Sequence, residues 1–381
     1  MKKNYRNAGL FVVLFSFIFL IIAIFTMGFS IEKPITISKN VIDSMYLENN
    51  LSYNNYNNYS NNSDNIDNSI TKESLKLIKN LTIDINNLGD STFFKYLTNL
   101  EVLTIKNYQS LNTNDIDNLK YLNSLKILNI SIDGNYVLKN PNYTIDLSMF
   151  SNLETLYITC DLPNEIDSYI SYNLIKNNKI KNVIFSNDLT IDELSIWNNK
   201  INIIIDNLHL ENSNEKEKLN IIANYVMNNL QYDKDIYNYL LNTSNVDSSQ
   251  KISQYNINLL SSILNNDNNI KDVICCNYAA FANILLYKAQ IESYYMLGNV
   301  DNTRHAWNLV NIDNNYYFMD LTYVDNDYDY NLLISQDMKE YQLYSNYSLP
   351  IVNEKLEELV YYNIDTDKIV IKWNGQILTI I

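Results

Sequence analysis

The run Cys275-Cys276-Asn277-Tyr278-Ala279-Ala280-Phe281-Ala282-Asn283-Ile284-Leu285-Leu286 decides how the C-terminal half of the chain is read. Downstream come His305-Ala306-Trp307-Asn308 and Asp320-Leu321-Thr322. The 381 residues include only three Cys and two His, so an ordered Cys, His, Asp series has few competitors. A thiol, an imidazole and a carboxylate are the parts of a nucleophile, its base and the group that orients the base. The first block reads as an apolar helix that a Cys opens. Unpaired N–H groups and the helix dipole at such a start favour a thiolate and can help to hold an oxyanion.

Three short strands follow that helix, at Ser293–Leu297, Arg304–Ile312 and Tyr316–Asp320. A turn centred on Asp313-Asn314, a pair that tolerates positive φ, sets Trp307 opposite Asp320. Strand side chains alternate, so His305 points to the same face as Trp307. His305 and Asp320 become diagonal neighbours, near enough for an imidazole–carboxylate hydrogen bond. A slip of one residue in the turn breaks this arrangement.

The other thiols and imidazole read as structural. Cys160 is a small buried hydrophobe, and His209 sits between Leu208 and Leu210 with no Cys near it. Zinc held by Cys275, Cys276 and His305 is the metal alternative. The C-x-x-C pairs that such sites use are absent, and so is a glycine-rich phosphate loop. The chemistry therefore calls for no cofactor and no metal.

The N-terminus sets the address. Lys2, Lys3 and Arg6 precede residues 8–29, which carry no charge and are long enough to cross a bilayer as a helix. The positive flank stays inside, which places everything after Phe29 outside the cell. The apolar core exceeds that of a cleaved signal peptide, and no Ala-x-Ala-like site follows it. Residues 31–70 read as a tether, because Asn54 to Ser63 is a low-complexity run with no apolar period. A formal charge of −15 excludes nucleic acid as a partner.

From Leu75 the chain repeats itself. Leu75, Ile78, Leu81 and Ile83 return as Leu97, Leu100, Leu103 and Ile105. They return again as Leu122, Leu125, Leu128 and Ile130, and as Phe150, Leu153, Leu156 and Ile158. The start positions step by 22, 25 and 28 residues. Ile180, Val183 and Phe185 form a weaker copy, and Ile201, Ile203 and Ile205 read as a closing strand. Asn86, Asp133, Asp161 and Asp188 stand just past the strands, where short polar side chains bond a turning backbone. One such unit cannot bury its apolar side alone; stacking gives a continuous core. The pattern resembles a leucine-rich repeat array, whose exposed strand positions (Thr82, Thr104, Asn129, Tyr157) show no strong chemistry.

After residues 206–215, Leu219, Ile222, Ala223, Val226 and Leu230 mark one face of a helix started by an Asn214–Glu217 capping box. Near the C-terminus, Asn374-Gly375 between two β-rich runs signals a hairpin.

The Cys275, His305 and Asp320 blocks together resemble the transglutaminase-like fold, a relative of papain-type thiol enzymes. Members of that family look like C-x-G-Y-A before an apolar helix, then H-A-W-N, a Gly-containing turn and D-x-T. The resemblance covers roughly residues 215–326. It makes Cys275 the nucleophile, because Tyr278 and Ala279 then fall on the family's Tyr-Ala; the alternative register uses Cys276. His305 takes the base position, Asp320 the orienting position, and Trp307 is a candidate wall or indole donor for substrate. Asn277 and Asn314 stand where the family has Gly, and Asn best replaces Gly at positive φ.

The expected architecture is therefore α+β: cytoplasmic tip and transmembrane helix over 1–30, tether over 31–70, irregular leucine-rich repeat solenoid over 71–206 and transglutaminase-like (papain-like) domain over 207–381. The expected function is a membrane-anchored, single-pass extracellular thiol acyltransferase or hydrolase. Its substrates are protein or peptide amides, cell-wall peptide included, and the repeats dock them or another protein ligand. The alternative is a surface adhesin or protein-binding module whose transglutaminase-like domain is silent.

Overall fold

The computed structural model describes residues 37–50, 72–176, 180–235, 260–265, 271–300, 303–326, 332–333, 341–343, 359–363, 368–373 and 376–380. The expected membrane segment, residues 8–29, lies outside them, as does much of the expected tether. Among the described residues no helix is long and apolar enough to cross a membrane.

The tether expected over 31–70 is interrupted by a helix, α1 (Lys39–Glu48). Val41, Ile42, Met45 and Tyr46 recur at helical spacing and are buried, so this segment has a face to pack. It packs against β1 (Asn80–Asp84), the edge strand of the first sheet. Asn49 Oδ1 accepts from the Lys79 and Asn80 N–H groups at 2.8 and 3.0 Å, and Ser44 Oγ from Thr82 N at 3.2 Å. A strand edge that would otherwise invite another chain is thereby closed.

The repeats form a five-stranded parallel sheet. After α2 (Lys72–Leu75) and β1 come β2 (Val102–Lys106), α3 (Thr113–Leu119), β3 (Ile127–Ser131), α4 (Gly134–Lys139) and β4 (Ile145–Asp146). Then follow β5 (Thr155–Thr159), α5 (Asn164–Leu174), β6 (Ile175–Lys176) and β7 (Asn182–Ile184). The sheet order is β1-β2-β3-β5-β7. Leu81, Leu103, Leu128, Leu156 and Val183 stand level in one column, and Ile83, Ile105, Ile130 and Ile158 in the next. The repeated Leu and Ile positions are thus the inward side chains of one stacked core. Asn107, Asp161 and Asp188 adopt positive φ where the chain turns, and Asp84 and Asp133 accept backbone N–H groups there.

The closing strand expected at Ile201, Ile203 and Ile205 is instead part of helix α6 (Ile191–Asn207). Thr190 and Glu193 form a capping box, and Leu194, Trp197 and Ile201 make the buried face. Ile203 is 60% exposed. The alternating isoleucines imitate a strand, but the start signal and the wider 3–4 spacing decide for helix. His209 follows in a left-handed turn.

Helix α7 (Glu215–Asn229) begins at the Asn214–Glu217 capping box. Next come β8 (Leu230–Tyr232), α8 (Ser261–Leu264), β9 (Lys271–Val273) and α9 (Cys275–Lys288). They lead into β10 (Ser293–Val300), β11 (Thr303–Ile312), β12 (Asn315–Met319), α10 (Leu321–Asn326) and β13 (Tyr341–Leu343). The order β12-β11-β10-β13 makes an antiparallel sheet. The chain ends in β14 (Leu359–Asn363), β15 (Lys368–Trp373) and β16 (Gln376–Ile380), a second antiparallel sheet. Trp373 pairs with Gln376, as a hairpin there requires; Asn374 and Gly375 themselves lie outside the described residues.

Helix α9 is apolar on every side because it is enclosed on every side. Two buried amides fix it to the sheet. Asn283 Nδ2 donates to Ser293 O and Oγ, both at 3.0 Å, and Asn308 Nδ2 to Ala279 O at 2.9 Å.

Candidate active site

The β11–β12 hairpin has the register its turn predicts. Asp313 and Asn314 both have positive φ, 53° and 62°, and Asn308 pairs with Met319. The Asp313 N–H also donates to Glu215 Oε2 at 2.9 Å, which fastens the turn to the start of α7. Asp320 follows immediately after β12. Its backbone carbonyl accepts from Val324 N at 3.1 Å, and its Oδ1 from Tyr323 N at 3.3 Å. The start of α10 thus fixes the carboxylate.

His305 Nε2 lies 2.6 Å from Asp320 Oδ2, with the two side chains 8% and 1% exposed. The Cys275 side chain lies near enough to the His305 ring to favour its protonated form. With Nε2 taken by Asp320, Nδ1 is the ring atom left to meet the sulfur. Burial pushes the imidazole pKa down. The charges and hydrogen bonds of Asp320 and then Cys275 more than offset that, and hold it at about 10. The ring therefore favours its doubly protonated form, between the Asp320 carboxylate and the Cys275 sulfur.

The three residues singled out in the sequence come together, and Trp307 adjoins them. Its ring stacks on His305 with centroids 6.3 Å apart and an interplanar angle of 17°. Trp307 is buried, and its indole N–H has no hydrogen-bond partner among the described residues. A buried donor left unpaired in a folded chain needs an explanation.

The two neighbouring thiols have separate environments. Cys276 is enclosed, and burial followed by the adjacent Cys275 pushes its pKa well up. Burial, and then the Asp167 charge, likewise raises the Cys160 thiol, which follows β5 in the array core. All three cysteines are free. Among the described residues, no group of His, Cys, Asp and Glu is arranged to hold a metal ion.

Two contacts were not legible beforehand. The Tyr341 hydroxyl donates to Asp320 Oδ2 at 3.0 Å, and its ring packs edge-on against Trp307 at 5.0 Å. No local pattern marks a Tyr in a three-residue strand as a partner of an Asp twenty-one positions earlier. Asn277 was expected to replace a Gly at positive φ; it is helical instead. Its Oδ1 accepts from Ile274 N at 3.2 Å, and its Nδ2 donates to Ser262 Oγ at 3.1 Å. It closes the first turn of α9, as the third residue of a helix often does.

Residues 199–347 match a family model described as a transglutaminase-like domain. The match begins inside α6 and contains α9, the β11–β12 hairpin and β13. Among solved structures, one described as a crystal structure of a TGase is 17% identical, covering 36% of this chain and 34% of that one, with a TM-score of 0.29. The chain thus spans about a third of the length of that TGase (34%). An internalin C2 from Listeria monocytogenes is 16% identical over 39% of this chain and 74% of its own, with a TM-score of 0.17. A second internalin (inlF) from that organism is 17% identical over 42% and 60%, with a TM-score of 0.18. No curated protein matches the sequence.

The residues that match the transglutaminase-like model thus include the helix, hairpin and short strand that carry Cys275, His305, Asp320 and Tyr341. A cavity lies elsewhere, on the strand face of the repeats. It has about 460 Å³ and is lined by Lys106, Asn129, Tyr157, Thr159, Ile184 and Ser186 among others.

Proposed function

We propose that this chain is a thiol acyltransferase or hydrolase acting on protein or peptide amides. The observation that supports this best is the buried His305 ring, 2.6 Å from Asp320 and close enough to Cys275 for the sulfur to raise its pKa. The Cys275 sulfur, its proton held on the His305 ring, attacks the amide carbon and a C–S bond forms. His305 gives its proton to the departing nitrogen as the C–N bond breaks, leaving a thioester and a free amine or ammonia. Asp320 keeps the ring oriented, and the unpaired Trp307 N–H is available to the carbonyl oxygen as it becomes negative. Water as the second nucleophile gives hydrolysis or deamidation, and an amine gives a cross-link.

In the same reading, residues 71–206 are a leucine-rich repeat array that docks a protein or cell-wall peptide beside the thiol. Residues 8–29 hold the chain in the cell membrane, with the remainder outside. The parallel columns of the array and its open groove support the docking role.

The test is incubation of the full chain with peptide panels containing Gln, Lys and varied peptide bonds, followed by mass analysis. The reading expects deamidated, cleaved or cross-linked products that vanish in Cys275→Ala. No product from any panel, with Cys275→Ala indistinguishable from the parent chain, overturns it.

A further inference from the structure

Glu165 sits on α5, in the repeat array, and is 3% exposed. One of its oxygens, Oε2, accepts two backbone N–H groups from across the chain, those of Leu260 and Ser261, at 2.5 and 3.1 Å. These open the short helix α8, whose preceding residue Leu260 offers no side-chain cap. Two further side chains hold the far end of that segment. Trp197 Nε1 donates to Asn265 Oδ1 and Lys200 Nζ to Leu264 O, each at 2.7 Å. From α8, Ser262 Oγ accepts from Asn277 Nδ2, and Asn277 Oδ1 accepts from Ile274 N and, at 3.7 Å, from the Cys276 thiol. Ile274 and Cys276 flank Cys275.

We infer that Glu165 is a positioning residue: through α8, Ser262 and Asn277 it fixes the turn that presents Cys275, so the repeat array is part of the seat of the thiol. The path runs through hydrogen bonds joined by the Ser261–Ser262 peptide link; Glu165 and Asn277 are buried, and Ser262 is exposed but meets Asn277 at a half-buried contact. A buried carboxylate is costly unless its hydrogen bonds are satisfied, and here the groups that satisfy it belong to the segment it holds. A shift of α8 draws the Ser262 hydroxyl away from Asn277 Nδ2 and loosens the first turn of α9. Side chains that must be held to within about half an ångström depend on such outer contacts. The role of the Cys275 thiol rests on the proposed function; the mechanical link does not.

The test uses the full chain with Glu165→Ala, Glu165→Gln, Ser262→Ala, Asn277→Ala and the Glu165→Ala/Asn277→Ala double variant. Lys288→Met is the control, because Lys288 Nζ bonds Asn173 and Asn198 in the same contact region but off the path. Two readouts are taken: amide exchange over residues 274–280 and the alkylation rate of Cys275. Glu165→Ala, Ser262→Ala and Asn277→Ala should each speed exchange there and slow alkylation about tenfold, with the double variant little worse than the worse single one. Glu165→Gln should stay close to the parent, since one oxygen suffices for both N–H groups. Lys288→Met should lower the melting temperature and leave both readouts unchanged. Unchanged exchange at 274–280 in Glu165→Ala overturns the inference, as do additive effects in the double variant. If Glu165→Ala fails to fold, Ser262→Ala decides by the same criterion. A Cys275 that is inert in the parent chain, with exchange still responsive to Glu165, upholds the link and defeats the thiol chemistry.

Discussion

His305 meets Asp320 on the diagonal of a hairpin, not across a rung. The register pairs Asn308 with Met319, so the residue level with Asp320 is Trp307, and His305 reaches past it to a 2.6 Å contact. The diagonal leaves Trp307 stacked beside the imidazole, its indole N–H without a hydrogen-bond partner among the described residues. An imidazole, its carboxylate partner and an unpaired indole donor thus come from one turn geometry.

That geometry should be sensitive to the turn. Asn314→Ala forces an ordinary side chain into a left-handed backbone at a cost of roughly 1–2 kcal/mol, whereas Asn314→Gly should be tolerated. Chemical denaturation of the two variants measures the difference. Equal stability would mean that the turn does not set the register.

Thiol reactivity should separate the three cysteines. An alkylator at mildly acidic pH should label Cys275, paired with His305, at least about tenfold faster than Cys276 or Cys160, both held high by burial. Peptide mapping by mass reads the rates. Preferential labelling of Cys276 would move the nucleophile one residue along.

Asp320→Asn should lower the His305 pKa, because the largest opposing influence on a buried ring is then gone. Turnover should fall roughly 10³- to 10⁴-fold while the fold survives. Imidazole NMR and product assays follow the two effects separately. Retained turnover would remove Asp320 from the mechanism.

Tyr341→Phe deletes one donor to Asp320 Oδ2 and leaves the His305 contact in place. The loss is about 1.5 kcal/mol, or roughly tenfold in turnover, with KM little changed. An unchanged rate would make Tyr341 a packing residue only.

The His305 pKa also predicts how stability depends on pH. It is raised from the ordinary 6.5 to about 10 in the folded chain. The resulting stabilisation is complete below the unfolded value and is lost as pH rises through the folded one. Denaturation midpoints should therefore fall between about pH 6.5 and 10, and this decline should shrink in Asp320→Asn. A midpoint flat across that window in the parent chain would contradict the pair.

The hairpin was legible because strand pairing is local: two residues that accept positive φ fix every partner from Ile312 back to Asn308. The repeat columns were legible because one spacing recurs. Helix α1 was missed because the neighbouring Asn-rich run hid a short amphipathic face. The isoleucines from Ile201 to Ile205 misled because alternation over five residues suits a strand, whereas in this helix it runs from the buried face at Ile201 to the exposed one at Ile203. Tyr341 and Glu165 were out of reach, since their partners are set by how separate elements meet. Asn277 was misread because its type suggested backbone freedom when its side chain was the part in use.

The strands of the repeat array stand level while the segments that return between them differ in length. Such a stack is a ruler with fixed marks and slack string between them. Its two ends are not alike: α1 finishes one, and at the other Glu165 joins the unit of α5 to the thiol-bearing half. Whole units can then be gained or dropped only in the interior. The reach of the array can vary while its joint to the chemistry stays fixed.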